Sequence, residues 1–189
     1  RLTLSNMTVR PAFGKSALAV GGGQLNLVNV VVDHVNAVDE PIGSVLLMDG
    51  RVTLTQCEVR ADRFDGAGEI CVRDSAHLDA ANSALGFLNV QRRGVAEVND
   101  CSAYALVAST DGEIRSAGVL SIVDGANVNI PDESEPTRLS EITVVQGGRV
   151  VAEQVVSQRR ETRLLAKLDA SIDVGYLHLP DHGHAVAVS

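Results

Sequence analysis

The sequence predicts an all-β protein built as a β-solenoid, in which one chain winds through successive coils of parallel strands. The first observation is a pattern that recurs along the 189 residues, in which a small turn residue is followed two and four positions later by apolar residues. The second is that polar residues occupy the positions between, as the strand period of two requires. Successive turn residues lie about 21 residues apart on average, a spacing typical of solenoid coils rather than of helical repeats.

The repeats align in columns of like residues. The turn residues are Gly23, Gly50, Ala76, Gly94, Gly112, Ala126, Gly148 and Ala170. The residues two positions later are apolar and are predicted to point inward: Leu25, Val52, Leu78, Ala96, Ile114, Val128, Val150 and Ile172. In the column four positions after the turn only Ser116 is polar.

Two further inward columns are predicted on the other side of each turn. Six positions before it lie Ala17, Ser44, Ile70, Leu88, Leu106, Leu120, Ile142 and Leu164. Four positions before it lie Ala19, Leu46, Val72, Val90, Ala108, Ile122, Val144 and Ala166. Each coil therefore has at least two strands, and the chain is long enough for about eight to nine coils.

A third observation is a column of mostly amide side chains six positions after the turn. Its members are Asn6, Asn29, Gln56, Asn82, Asp100, Asp132 and Gln154, with Gly118 and Tyr176 as exceptions. Stacked amides at a bend predict an Asn ladder, in which each side chain hydrogen-bonds to the coils above and below.

Coils of variable length, stacked aliphatic columns and an Asn ladder resemble the right-handed parallel β-helix of the pectate-lyase-like superfamily. The resemblance is one of architecture and implies a single-stranded parallel β-helix domain over residues 1–189. A left-handed β-helix is the alternative, because the turn residues Ala76, Gly94 and Gly112 follow one another at 18 residues. The other spacings break a strict hexapeptide repeat, so the right-handed form is preferred.

Composition excludes several classes of function. The formal net charge is -8, from 16 basic and 24 acidic side chains, which argues against a nucleic-acid partner. The chain has three Phe, two Tyr and no Trp, so an aromatic-lined sugar cleft is disfavoured. No apolar stretch is long enough for a membrane helix, and a soluble domain is expected, either cytoplasmic or part of a larger secreted or surface protein.

Charged residues on one outward face are the strongest candidates for chemistry. The catalytic candidates, in three successive coils, are Asp79, Glu97 and Arg115, and the binding candidates flanking them are His77, Arg51 and Glu113. In polysaccharide-cleaving β-helices the resemblance places the active groove on such a face, where carboxylates act as acid and base. Neighbouring carboxylates raise one pKa unless Arg115 or His77 compensates. The alternative is that the opposite charges simply pair and keep the sheet soluble.

Other segments are weaker candidates. The loops 33–43 and 60–68 are expected to project side by side, and 131–137 to form a stiff acidic turn. The C-terminal "HLPDHGH" is rich in histidine but fits no metal motif. The three cysteines are expected to remain unpaired thiols, and neither a metal nor a cofactor is predicted.

These observations favour a non-catalytic scaffold that presents a rigid surface to a protein or glycan. The alternatives are a carbohydrate-active β-helix (a lyase, a hydrolase or a phage-tailspike-like depolymerase) and a structural passenger of a surface adhesin. The first residues already follow a strand pattern and the final "AVAVS" resembles the start of another coil. We therefore expect a fragment of a longer protein, or ends covered by a partner or an oligomer.

Overall fold

The structure is a computed structural model, and it describes residues 1–10, 18–33, 45–48, 50–60, 69–123, 142–158 and 161–188. Over these residues the regular structure is entirely β, with strands in two sheets and no helix. Every strand pairing in both sheets is parallel. The prediction of an all-β fold with parallel strands is therefore confirmed.

Strands of the two sheets alternate along the chain. Sheet A contains β1 (Leu2–Val9), β3 (Gly23–Asp33), β5 (Gly50–Thr55), β6 (Glu58–Arg60), β8 (His77–Ala81), β10 (Val95–Asn99), β11 (Cys101–Ala103), β13 (Glu113–Ile122), β15 (Arg149–Ser157) and β17 (Ser171–His178). Sheet B contains β2 (Leu18–Val20), β4 (Val45–Met48), β7 (Glu69–Arg73), β9 (Phe87–Gln91), β12 (Ala105–Ser109), β14 (Ile142–Val145), β16 (Glu161–Lys167) and β18 (His184–Val188). Each main path has eight strands, in the order β1-β3-β5-β8-β10-β13-β15-β17 and β2-β4-β7-β9-β12-β14-β16-β18.

The hydrophobic core lies between the two sheets and is built from the predicted columns. In sheet A, Leu78 pairs with Val52 on one side and with Ala96 on the other, and all three are fully buried. In sheet B, Leu88 pairs with Ile70 and is equally buried. One continuous cluster contains buried residues from both sheets. Period-two alternation thus places every second side chain in a common core.

Ser116, the polar exception in an inward column, is buried but satisfied. Its hydroxyl donates to the carbonyl oxygen of Gly118 at 3.2 Å. A local hydrogen bond of this kind removes most of the penalty for burying a hydroxyl group.

The strands that flank the repeat predicted at Ala126 pair directly with each other in both sheets. Ile114 of β13 pairs directly with Val150 of β15, and Leu106 pairs directly with Ile142. Ala126 and the column members Val128 and Ile130 lie outside the described residues.

The prediction also misplaced the apolar residues that precede that repeat. Leu120 and Ile122, expected in the other sheet, belong to β13 and pair with Cys101 and Ala103 in sheet A. The physical reason is that β13 continues beyond an irregularity after Ser116, so one ten-residue strand carries two apolar runs.

At the first two turns the predicted register before the turn is wrong by one residue. Ala19 was predicted to point inward but is exposed, and the neighbouring Val20 is buried instead. Leu18 pairs with Val45, which in turn pairs with Ile70. These two turns are one residue shorter than the later ones, and a shift of one residue moves every side chain to the opposite face.

The later turns between sheet B and sheet A share one backbone conformation. Two consecutive residues have positive φ in each: Asp74 (55°) and Ser75 (73°), Arg92 (52°) and Arg93 (65°), Thr110 (50°) and Asp111 (61°), Gln146 (53°) and Gly147 (74°), and Leu168 (58°) and Asp169 (62°). In the first four turns the N–H after the pair donates to the carbonyl before it at 2.9 to 3.1 Å. This combination is the signature of a type I′ turn.

Three of these turns are followed by a glycine, which is explained by close approach rather than by φ, whereas Ala76 and Ala170 follow the other two. A Cβ added at Gly94 would lie 2.7 Å from the carbonyl oxygen of Val72 in the preceding strand of sheet B. At Gly112 and Gly148 the nearest atom is likewise a carbonyl oxygen of the preceding strand of sheet B. The recurring glycine of the sequence pattern therefore lets neighbouring turns stack.

The predicted amide column marks a bend within sheet A. Asn6, Asn29, Gln56, Asn82 and Asp100 all have φ between 50° and 54°. Asn and Asp tolerate this left-handed conformation better than other residues with a Cβ. One side-chain bond of the predicted ladder is present, in which Nδ2 of Asn29 donates to Oδ1 of Asn6 at 2.8 Å.

The exception at Gly118 has a structural cause. The carboxylate of Asp100 fills the space beside it, because a Cβ on Gly118 would lie 2.6 Å from Oδ1 of Asp100. That same oxygen accepts a hydrogen bond from the backbone N–H of Val119 at 3.1 Å.

Replacing Gly94 with alanine should destabilise the protein, because the nearest atom is backbone of a neighbouring strand and cannot rotate away. We expect Gly94→Ala to lower the free energy of unfolding by about 1 to 3 kcal/mol, measured by urea denaturation. Gly21→Ala is the matched control, since nothing lies within 4 Å of the added methyl group. Equal effects of the two variants would contradict the close-approach explanation.

Leu168 is strained by its backbone and gains little from packing. It has a φ of 58° and is 69% exposed. We expect Leu168→Asn to raise the free energy of unfolding by up to about 1 kcal/mol, because Asn is better suited to a left-handed backbone. Leu165→Asn, within β16, should lower it instead, and thermal melts of both variants distinguish the two outcomes.

Candidate functional site

The six candidate residues identified from the sequence lie together on the outward face of sheet A. Glu97 lies between Asp79 and Arg115 in the strand register, and Arg51 lies beside His77. Glu113 pairs with Val95 in the adjoining column. Strands β5, β8, β10 and β13 present the set, since outward positions alternate with the core positions described above.

Asp79 is the centre of the first charge cluster. Nε of Arg51 donates to its Oδ2 at 2.7 Å, and Nε2 of His77 donates to its Oδ1 at 2.9 Å. Partial burial raises the pKa of the Asp79 carboxyl, but the hydrogen bonds and electrostatic attraction of Arg51 and His77 together outweigh burial, so the pKa lies below its ordinary value. Asp79 is therefore held as a carboxylate.

Arg115 is the centre of the second charge cluster. Its Nη2 donates to Oε2 of Glu113 at 2.6 Å, and its Nη1 lies 3.8 Å from Oε1 of Glu97. The hydrogen bond from Arg115 lowers the pKa of the Glu113 carboxyl, against a smaller opposing effect of partial burial. The same contact raises the pKa of the Arg115 guanidinium.

The pairing has a chemical consequence for the face. The sequence predicted a raised carboxyl pKa unless Arg115 or His77 compensates, and each carboxylate has in fact a cationic or imidazole neighbour. The sharing of protons that defines an acid and base pair requires one neutral carboxyl. With Asp79 and Glu113 held ionised, the arrangement is better suited to binding charge than to donating a proton.

A surface groove that the sequence did not predict lies next to the bend of sheet A. It has a volume of about 590 Å³. On one side it is lined by the amide column, through Asn29, Gln56, Asn82 and Asp100. The buried residues Cys57, Ser83 and Cys101 contribute to the lining at the bend, and the rest comes from outward residues after it: Val31, Glu58, Ala84, Ser102, Val119 and Ser121.

The groove exists because the outward side chains after the bend are small. Ala84 forms isolated bridges to Glu58 and to Ser102, which places these positions in one row across neighbouring strands. Small residues at Ala84, Ser102 and Ser121 leave room that larger side chains would fill. Val31 and Glu58 occupy the same row, so the small residues do not form a regular column that the sequence would have revealed.

Other sequence candidates lie partly or wholly outside the described residues. Of the loops 33–43, 60–68 and 131–137, the structure describes only Asp33 and Arg60. Asp33 is largely buried, and its Oδ2 accepts from Nε of Arg10 at 3.1 Å. That loops 33–43 and 60–68 project side by side, and that 131–137 forms a stiff turn, stay predictions.

The prediction of three unpaired cysteines is confirmed. Cys57, Cys71 and Cys101 are free and buried, and burial raises the pKa of the Cys101 thiol.

The C-terminal histidines form no metal-binding cluster among the described residues. Within the described part of the chain, the one group of metal-ligating atoms close enough to share an ion consists of His77, Asp79 and Glu97.

The chain matches no family model, no curated protein sequence and no solved structure. Across the residues that the structure describes, no helix has the length and apolar character needed to cross a membrane.

The ion pair between Arg115 and Glu113 should make stability depend on pH. The pKa of Glu113 is lower in the folded protein than its ordinary value of 4.5. The contribution of the ionised Glu113 carboxyl to the free energy of unfolding is therefore fully present above about pH 4.5. It is lost as the pH falls through the lower pKa of the folded protein. We expect Glu113→Gln to reduce the free energy of unfolding by less than about 1 kcal/mol at pH 7, because the pair is exposed to solvent.

Chemical denaturation at pH 7 and pH 3 measures this difference. The difference in the free energy of unfolding between wild type and Glu113→Gln should be smaller at pH 3. At that pH the Glu113 carboxyl is protonated in the unfolded wild-type chain. Glu153→Gln is the control, since Glu153 is exposed and makes no ion pair within the described residues. If this difference in the free energy of unfolding is the same at pH 7 and pH 3, the stabilising role of the ion pair between Arg115 and Glu113 is contradicted.

Proposed function

We propose that the chain is a right-handed parallel β-solenoid of about eight coils that acts as a non-catalytic recognition module for an extended glycan. The solenoid is supported by two parallel sheets whose strands alternate along the chain and by their shared core. The right-handed form is supported by the general rule that parallel strands are joined by right-handed crossovers. The same features support an architecture of the pectate-lyase-like kind.

The observation that carries the recognition function is the groove of about 590 Å³ beside the bend. Its lining repeats from strand to strand, with amide groups along one side and small residues along its floor. Neighbouring strands lie about 4.8 Å apart, so the groove offers hydrogen-bonding groups at regular intervals. A polysaccharide presents hydroxyl groups at a comparable repeat along an extended chain.

The polarity of the groove favours a glycan over an apolar peptide. Asn29, Gln56 and Asn82 offer both donors and acceptors, as sugar hydroxyl groups require. Ser102 and Ser121 add hydroxyl groups on the floor. Binding pockets for peptide side chains are generally more apolar, with aromatic or aliphatic anchors.

The proposal is non-catalytic because the outward carboxylates of the charge clusters are paired. Asp79 is bound by Arg51 and His77, and Glu113 is bound by Arg115. General acid catalysis of glycoside cleavage needs a protonated carboxyl group near neutral pH. Binding without turnover is therefore the function that these contacts support best.

The test is to fill the groove without disturbing the core. We expect Ser102→Trp to reduce glycan binding at least about tenfold, because the new ring would occupy the floor of the groove. Binding is measured on an array of acidic and neutral polysaccharides and then by calorimetry with the best ligand, with and without calcium. New reducing or unsaturated ends are assayed in parallel.

Val107→Trp is the matched control, because Val107 is an outward residue of β12 in sheet B, away from the groove. It should leave binding unchanged, and both variants should keep the wild-type circular dichroism spectrum. Loss of binding in both variants, or no binding to any polysaccharide, would reject the proposal. Cleavage that Asp79→Asn or Glu97→Gln abolishes would replace it with an enzymatic function.

A further inference from the structure

The outward face of sheet A contains a second site, separate from the groove, at His77, Asp79 and Glu97. One ligand atom from each of these residues lies within 4.8 Å of the others. His77 and Asp79 are two residues apart in β8, so both point outward, and Glu97 pairs with Asp79 across the strand register. The backbone therefore holds all three side chains on one rigid surface.

The distances fit a metal ion after modest movements of the side chains. Nε2 of His77 and Oδ1 of Asp79 are 2.9 Å apart. Two ligands of a tetrahedral ion, each about 2.1 Å from it, are separated by about 3.4 Å, so this pair has to move apart by about 0.5 Å. The ligand atom of Glu97 lies within 4.8 Å of the other two and has to approach by at most about 1.4 Å. The Glu97 side chain is 43% exposed, which leaves room for this movement.

The ligand types select the ion. One imidazole nitrogen and two carboxylates suit a first-row divalent ion such as Zn²⁺, whereas Ca²⁺ takes six to eight oxygen ligands. Three protein ligands leave at least one position for water or for an external ligand. For Nε2 of His77 to bind the ion, the neutral ring carries its single proton on Nδ1.

We propose that His77, Asp79 and Glu97 form a binding site for a divalent transition-metal ion, with Zn²⁺ as its representative. No metal motif in the sequence marks this site, because the ligands come from two strands of successive repeats. His77 lies 2 residues before Asp79 and Glu97 lies 18 residues after it, so the three side chains come together only when the strands stack in register.

Arg51 gives the proposal its most specific consequence. Its guanidinium binds Oδ2 of Asp79 at 2.7 Å and so places a positive charge next to the ion. Removal of that charge should strengthen ion binding, since like charges at this distance repel. A purely structural ion-pair network predicts no such gain.

The experiment is calorimetric titration of the purified chain with ZnCl₂ in a non-coordinating buffer, supported by the visible spectrum of the Co²⁺ form. We expect one ion per chain, with affinity at least about tenfold weaker in His77→Gln, Asp79→Asn and Glu97→Gln. Arg51→Ala should bind Zn²⁺ several-fold more tightly than the wild type. Thermal melts without metal verify that each variant is folded.

His178→Gln is the matched control, because His178 is also a histidine in a strand of sheet A, and it lies in the C-terminal histidine-rich segment. It should leave the affinity and the Co²⁺ spectrum unchanged. Zn²⁺ binding that depends on His178 and not on His77 would overturn the proposal, as would binding that the three ligand variants leave intact. Absence of any saturable Zn²⁺ binding to folded wild-type protein would also overturn it.

Discussion

The structure depends on parallel strands that stack in register, so that each side chain lies about 4.8 Å from its equivalent in the next strand. Apolar residues such as Leu78 therefore rest on apolar residues and build a continuous core. The same constraint acts on the outward face, where like charges would repel at every step. Alternation of Arg51, Asp79 and the Glu97–Arg115 pair relieves that repulsion.

Both candidate sites arise from the outward face of sheet A, on opposite sides of its bend. Before the bend, charged side chains are held near one another and can gather around an ion. After it, small side chains leave a polar groove that can receive an extended ligand. From β1 to β10 in sheet A, a single left-handed residue at each bend, such as Asn82, separates the two surfaces. The proposed recognition and the proposed ion binding therefore use separate, neighbouring segments of the same strands.

Period-two alternation was enough to predict the inward columns and the outward placement of His77, Asp79 and Glu97. Alternation does not say where one strand stops, so the apolar residues Leu120 and Ile122 were placed in the wrong sheet. The groove was not predicted, because it results from a few outward side chains that are too small to fill the space beside the bend. Such residues do not produce a periodic pattern in the sequence. The ion pairs were not predictable either, since they depend on rotamers of long side chains.

The unequal spacing of paired strands has a consequence for how the chain tolerates change. Glu113 pairs with a residue 18 positions earlier, in β10, and with one 36 positions later, in β15. Doubling the length of a closed loop costs only about 0.6 kcal/mol in chain entropy. Evolution can therefore lengthen a repeat on the side away from the tight turns at little thermodynamic cost. The turns at Gly94 and Gly112 allow no such growth, since neighbouring backbones already touch there.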